Sequence, residues 1–186
     1  MSKFKYFAKS DRTPSLEDVL RSRDQRVELI DRLISENEDL AILVFKLNIP
    51  GEEKTNNKVI EIFDEGVILI DQKFKDDEII DRYKISPITG PEYFLLTNKD
   101  PLEVKRLMVD LEETAYFGRL YDIDITTKDG SISRNELKAS PRKCFICDNE
   151  AKSCARSRKH SVDEMLEWIE DLIDSRNESD GKDKFN

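Results

Sequence analysis

The segment LAILVFKLNI, from Leu40 to Ile49, is almost continuously apolar and is rich in residues that favour strands. A short apolar run that ends at turn residues, here Pro50-Gly51, predicts a buried strand. Because a buried strand needs neighbours, the segments that follow it decide the fold class.

The next segments alternate between helix and strand patterns. We predict a helix over Asn57 to about Lys75, strands over Glu78–Ile85 and Glu92–Thr97, a helix from Pro101 to about Tyr116, and a strand over Arg119–Thr127. With the first strand, this gives the order strand, helix, strand, strand, helix, strand. That order is typical of an α+β fold with a ferredoxin-like βαββαβ core, in which the helices lie on one face of the sheet.

Further elements flank this core. Ser15 and Asp18 form a capping box that starts a helix ending near Ser35, and Ile132–Leu137 is expected to form a hairpin with the preceding strand. An amphipathic helix is predicted to begin at Ser161. Residues 1–13 are expected to form a loosely held arm, residues 1–176 a single domain, and residues 177–186 a disordered tail.

Composition narrows the class of protein. A chain of 186 residues that is 38% hydrophobic supports one buried core. Its net charge of −9 argues against a general nucleic-acid binder. No apolar run approaches the ~20 residues needed to span a bilayer, so no membrane partner is expected. Three cysteines is an odd number, which fits a reducing compartment and predicts a cytoplasmic protein.

The charge is unevenly distributed. Residues 142–160 carry six Lys or Arg and two acids, although the whole chain is acidic. Such a basic segment is suited to phosphates or to an acidic partner protein. It could equally be a solvated loop of mixed charge.

Asp122 and Asp124 are two residues apart on a predicted strand, so their side chains should share one face. Two neighbouring carboxylates suit Mg²⁺ in phosphoryl or nucleotidyl transfer. Gly118 would let a phosphate approach the backbone, and Arg119 would offer a bidentate guanidinium. The alternative interpretation is the polar face of an edge strand.

Cys144, Cys147, Cys154 and His160 have the ligand types and loop lengths of a structural Zn²⁺ site. The spacing differs from the standard finger and knuckle patterns. The alternative is three ordinary thiols and a histidine kept for packing or for a phosphate contact. A nucleophilic thiol, best assigned to Cys154, is a third reading.

Three segments together resemble the citrate lyase holo-acyl-carrier-protein synthases, the apo-citrate lyase phosphoribosyl-dephospho-CoA transferases. These segments are Gly118–Ile125, Arg142–Cys147 and Cys154–His160. Ser22–Arg26, Thr89–Glu92 and Asp100–Leu102 also fall where that family has similar motifs. The resemblance covers about Ser15 to Ile173, and it implies a nucleotidyltransferase-type sheet.

The resemblance implies a reaction and its partners. Such an enzyme takes 2'-(5''-triphosphoribosyl)-3'-dephospho-CoA and the apo acyl carrier protein subunit of citrate lyase. It joins them through a phosphodiester to a carrier serine and releases pyrophosphate. The attacking serine belongs to the partner, so this chain needs no nucleophile of its own.

The resemblance also implies residue roles. Asp122 and Asp124 would hold Mg²⁺ against the triphosphate, with Asp124 or Glu112 as candidate general base. The expected catalytic residues are Asp122, Asp124 and Arg119, the last of which would neutralise the departing pyrophosphate. The expected phosphate-binding residues are Arg23, Arg26, Gly118, Arg142, Arg156, Arg158 and His160, and the two N-terminal arginines could instead meet the carrier. The competing hypothesis is a non-catalytic, zinc-stabilised carrier-binding module or assembly factor for citrate lyase.

Overall fold

The computed structural model describes residues 4–7 and 13–183, and within them it contains five α-helices and an antiparallel sheet of five strands. The helices are α1 (Leu16–Glu36), α2 (Asn57–Asp71), α3 (Pro101–Thr114), α4 (Ala151–Ser157) and α5 (Val162–Asp183). The strands are β1 (Ala41–Leu47), β2 (Ile79–Ile85), β3 (Glu92–Thr97), β4 (Tyr121–Thr127) and β5 (Gly130–Ile132). The predicted α+β class is confirmed.

The strand predicted from Leu40 to Ile49 becomes β1 and lies at the centre of the sheet. The strand order is β2-β3-β1-β4-β5, so β1 is paired on both sides. Val44, for example, lies opposite Phe94 on β3 and Asp124 on β4. This position explains why the segment is almost continuously apolar, because a central strand has most of both faces covered.

The two faces of the sheet carry different layers. Ala41, Leu43 and Phe45 point into the main core together with α2, α3 and α5, whereas Ile42 and Val44 point to the other face. There they join Phe94, Leu96 and Leu33 of α1 in a second core. The two helices of the predicted core, α2 and α3, pack on one face as expected, and α1, for which the sequence predicts no face, packs on the other.

Helix α1 begins as predicted, since Ser15 and Asp18 form the capping box. Only part of its apolar stripe is buried. Leu33 is buried, but Leu16 is 75% exposed and Val27 56% exposed. The apolar contacts of α1 with the sheet come from its C-terminal half, whereas nearer its start Ser22 is buried and accepts a hydrogen bond from Thr89 (2.7 Å), just before β3. The β4 side of that face is open.

Several predicted boundaries differ from the structure. The helix expected to reach Lys75 ends at Asp71, and the strand expected from Arg119 begins at Tyr121, after a 3₁₀ turn over Gly118–Leu120. The hairpin strand is Gly130–Ile132 rather than Ile132–Leu137. It ends early because Arg134 turns toward α3, where its guanidinium donates to Glu112 (2.5 Å).

Segments near both ends of the chain belong to the described structure. The Tyr6 backbone N–H donates to Glu170 of α5 (2.6 Å), and Phe7 is buried, although the rest of the predicted arm in 1–3 and 8–12 lies outside the described residues. Helix α5 extends to Asp183, into the predicted tail, because lengthening an existing helix costs little. Residues 184–186 also lie outside the described part. Within that part, no helix combines the length and the apolar character needed to cross a bilayer.

Candidate active site and metal cluster

Asp122 and Asp124 lie on one face of β4, while Tyr121, Ile123 and Ile125 are buried on the other. The Asp122 side chain is 33% exposed and that of Asp124 is 61% exposed. Both lie on the α1 side of the sheet, where a cleft opens beside β4. They are held rigidly and can still be reached from solvent.

The strand register places a cation beside this pair. Lys46 of β1 is the cross-strand partner of Asp122 on β4 and of Glu92 on β3. The Lys46 ammonium donates to Asp122 and lies 3.7 Å from Asp124 Oδ2. Oxygen atoms of the two carboxylates therefore converge on one positive charge.

Helix α1 contributes one of its two predicted phosphate-binding arginines to this region. Arg26 Nε donates to Glu92 Oε2 (2.8 Å) and a second nitrogen reaches the other oxygen, in a bidentate pair with a carboxylate that is almost fully buried. Arg23 is exposed. The structure therefore places Arg26 near the aspartates and leaves Arg23 at the surface.

Arg142 joins the basic segment to the aspartates. Its Nη1 donates to Asp122 Oδ1 (3.1 Å), and its Nη2 donates to the backbone carbonyls of Arg119 (3.0 Å) and Tyr121. Burial raises the pKa of Asp122, but the charges and hydrogen bonds of Lys46 and Arg142 outweigh it and hold the pKa below its ordinary value. Asp122 is therefore ionised at neutral pH and can accept a metal ion.

A cleft of about 600 Å³ opens over the pair. Its lining includes Asp122, Asp124 and Arg142, and also Lys105, Arg134 and Lys152. This volume lies within the range of small-molecule sites, roughly 300–1,000 Å³. Arg156 and Arg158 are exposed on and just after α4 and do not line the cleft.

Two predicted substrate contacts have other roles in the structure. The Arg119 guanidinium donates to the backbone carbonyls of Cys144 (3.0 Å) and Phe145 (3.1 Å), so it supports the cysteine segment. Gly118 is buried, and a Cβ there would lie 2.5 Å from the carbonyl oxygen of Glu112. The close backbone approach that this glycine allows is to α3 rather than to a phosphate.

This packing gives a stability prediction. Gly118→Ala should lower the free energy of unfolding by about 1–3 kcal/mol, because the added methyl group meets rigid helix backbone. Thermal denaturation measures the change. A variant with unchanged melting temperature and lost transfer activity would instead support the phosphate-binding role.

The predicted cysteine and histidine ligands do come together. Ligand atoms of Cys144, Cys147, Cys154 and His160 all lie within 4.8 Å of one another, and these residues form a cluster that could hold a metal ion. Cys147 Sγ lies 3.6 Å from Cys154 Sγ and 3.3 Å from His160 Nε2. In a tetrahedral zinc site with Zn–S bonds of ~2.3 Å, sulfur atoms are about 3.8 Å apart. The spacing of the Cys147 and Cys154 sulfur atoms therefore already suits a tetrahedral zinc ion.

Local structure explains how ligands so far apart in sequence meet. Cys144 and Cys147 lie in a tight turn closed by the Cys144 N–H and the Asn149 carbonyl (2.8 Å), and Cys154 is on α4. The hydrogen bond with His160 lowers the pKa of Cys147 to about 6, whereas burial raises the pKa of Cys154 to about 11. Helix α4 was not predicted, because seven residues with mixed charge carry little periodic signal.

Some residues around the site were missed or misjudged from sequence. Lys46 is the sole charge in β1, and a single charge within a buried strand was the signal that could have identified it. Glu112, a candidate base, is buried and its carboxylate accepts from the Ile123 N–H (3.2 Å) and from Arg134. It therefore has a structural role in holding β4 against α3.

A match to a family of known proteins shows the class of protein to which this chain belongs. Residues 14–176 match the family model described as apo-citrate lyase phosphoribosyl-dephospho-CoA transferase. The class is therefore that of the transferases.

Relatives extend the match over the whole chain. A protein of Streptococcus pyogenes serotype M5 (strain Manfredo), named probable apo-citrate lyase phosphoribosyl-dephospho-CoA transferase, is 40% identical over 99% of both chains. One of the same name from Vibrio cholerae serotype O1 (strain M66-2) is 30% identical over 87% of this chain and 93% of its own. Protein CitXG of Leuconostoc mesenteroides subsp. cremoris is 33% identical over 90% of this chain but 36% of its own. The chain belongs to the apo-citrate lyase phosphoribosyl-dephospho-CoA transferase family, and the resemblance seen in the sequence is confirmed.

Proposed function

We propose that this chain transfers the phosphoribosyl-dephospho-CoA group from its triphosphate precursor to a serine of the apo acyl carrier protein subunit of citrate lyase. Family membership supports the group and the acceptor. The observation that carries the mechanism is the pair of carboxylates, Asp122 and Asp124, converging on one cation beside Arg142 in an open cleft.

The reaction is a nucleotidyl transfer. The carrier serine oxygen forms a bond to the phosphorus nearest the ribose, and the bond from that phosphorus to the bridging oxygen breaks. Pyrophosphate leaves with the electron pair, and the serine proton passes to a base, for which the exposed Asp124 is our candidate. Arg142 stabilises negative charge that develops beside Asp122.

The donor set fits a Mg²⁺ ion. Two carboxylates whose oxygens already surround the Lys46 ammonium provide the oxygen ligands that Mg²⁺ prefers. A bound magnesium ion would neutralise the phosphate and orient it for in-line attack. The Lys46 ammonium now stands between these oxygens, and a bound ion would displace it toward a phosphate oxygen.

We assign the other predicted residues by their positions. The cluster of Cys144, Cys147, Cys154 and His160 would hold a structural Zn²⁺ ion, which places His160 there rather than at a phosphate. Arg23, Arg156 and Arg158 are exposed and would meet the substrate or the carrier during docking. Arg119 and Gly118 would support the site indirectly.

The zinc proposal gives the cluster a mechanical role. Arg119 donates to Cys144 and Phe145, while Arg142 joins the same segment to Asp122. A metal ion that fixes the cysteine turn would thereby fix the guanidinium of Arg142 in the cleft.

We also infer a ferredoxin-like, nucleotidyltransferase-type sheet. In support, β1, α2, β2, β3, α3 and β4 follow one another in the order βαββαβ, and their strands stand side by side as β2-β3-β1-β4, all antiparallel. Helix α1 on the second face and strand β5 at the edge are then additions to that core.

The proposal is tested by the mass of the carrier protein. Incubation of this chain with apo-carrier, the triphosphate precursor and Mg²⁺ should raise the carrier mass by one phosphoribosyl-dephospho-CoA group. Omission of the precursor or addition of a chelator should abolish the increase. The non-catalytic alternative, which the family name does not favour, predicts stoichiometric carrier binding without Mg²⁺ or precursor and no change in mass.

A further inference from the structure

A small cavity lies on the far side of Lys46 from the aspartates. Its volume is about 40 Å³, and its lining includes three cations, Arg26, Lys46 and Lys54, and one carboxylate, Glu92. One water molecule needs roughly 10–15 Å³ of such volume, so the cavity can hold about three water molecules. A space of this size suits a phosphoryl group but is too small for a nucleoside. Gly90, with a φ of 111°, leaves the backbone beside Lys54 uncrowded.

Two of the three cations are already paired. Arg26 holds both oxygens of Glu92, and Lys46 contacts Asp122 and Asp124. The single carboxylate of the cavity is thus fully engaged by Arg26. The charge of Lys54 is not offset by either pair.

Lys54 has an unusual environment for a lysine. Its ammonium donates to the backbone carbonyl of Ile49, and among the side chains described, in 4–7 and 13–178, no carboxylate forms an ion pair with it. Burial lowers its pKa, because the charged form loses hydration without gaining an ion pair. An ammonium group has three N–H donors, so two remain for a ligand. A partly buried cation with spare donors gains most from an anion.

We infer that Lys54 binds a phosphate oxygen of the terminal pyrophosphate moiety of the substrate, in the cavity that it shares with Arg26 and Lys46. This inference rests on the proposed function, since it requires a triphosphate whose reacting phosphorus lies at Asp122 and Asp124. When the bond to the bridging oxygen breaks, that oxygen keeps the electron pair and the pyrophosphate gains negative charge. Lys54 stabilises this charge as it develops, and Lys46 connects the two subsites.

The test uses inorganic pyrophosphate as the probe. Calorimetry with wild type and Lys54→Gln should show about 10- to 100-fold weaker pyrophosphate binding in the variant, the effect of losing one charge-assisted hydrogen bond. KM for the triphosphate precursor should rise while KM for the carrier stays constant. Lys54→Arg, which keeps the charge and a donor for Ile49, should retain most of the affinity.

Lys58→Gln is the matched control, since Lys58 lies four residues away and pairs with Glu61 (2.6 Å) outside the cavity. It should bind pyrophosphate as wild type does. Equal pyrophosphate affinity of Lys54→Gln and wild type would overturn the inference. So would an equal loss of carrier affinity, because a distorted loop would weaken both. Failure of the proposed function would look different, as wild-type protein would leave the carrier mass unchanged.

Discussion

Asp122→Asn lowers the rate of carrier modification by about 100-fold or more, within the range for removing one preorganised electrostatic group. The substitution keeps the size of the side chain and removes the negative charge that faces Lys46 and Arg142. The magnesium ion that we propose would lose a ligand, Arg142 would lose its carboxylate partner, and Lys46 would keep only Asp124. The rate is measured from the mass of the carrier over time.

The fold of this variant should be preserved. Lys46 keeps Asp124 as a partner, and Arg142 keeps its two backbone carbonyl acceptors. The melting temperature should therefore change by a few degrees at most. Asp129→Asn is the control, since this aspartate is exposed in the turn between β4 and β5. Near-normal transfer by Asp122→Asn would refute the metal assignment.

Cys154→Ser should abolish the stoichiometric zinc binding that we propose and lower the melting temperature by about 10 °C. A metal ion present at 1,000 times its Kd stabilises the folded state by about 4 kcal/mol, and each kcal/mol corresponds to roughly 2–4 °C for a chain of this size. The transfer rate should fall as well, because the cysteine turn supports Arg142 through Arg119. Metal analysis and thermal denaturation of the two proteins check these values.

Ser153→Ala is the matched control, since Ser153 precedes Cys154 on α4 and is exposed. It should keep one zinc ion per chain. A chelator should reproduce the thermal shift in wild type and have no effect on Cys154→Ser. Wild-type protein that contains no zinc after expression in zinc-supplemented medium, and melts at the same temperature with or without chelator, would contradict the structural role.

Local sequence patterns were sufficient for much of the fold. The period of two along a strand predicted that Asp122 and Asp124 share a face, and the capping box located the start of α1. Three cysteines and a histidine within one short segment predicted the cluster at Cys144, Cys147, Cys154 and His160, although their spacing matches no standard zinc-finger pattern. These predictions succeeded because each depends either on residues close together in the chain or on residue types with distinctive chemistry.

What the sequence could not give depends on register and on distant contacts. Lys46 meets Asp122 only because β1 and β4 pair in one particular alignment. A glycine indicates that some group lies close to its backbone, but the sequence does not identify that group. For Gly118 the close group is the end of α3 and not the predicted phosphate. The placement of α1 on the second face was missed for the same reason, since its apolar stripe does not indicate which side of the sheet it meets.

The lateral row of Glu92, Lys46 and Asp122 crosses the three innermost strands of the sheet. Backbone amides in such strands exchange with deuterium only when the molecule opens globally, whereas amides of surface turns exchange through local fluctuations. We therefore expect slow exchange at Lys46 and faster exchange around Cys147. The charged groups that we propose to surround the reacting phosphorus therefore lie in the part of the molecule that opens last. Any change of shape on binding a carrier protein is expected in the segments around them.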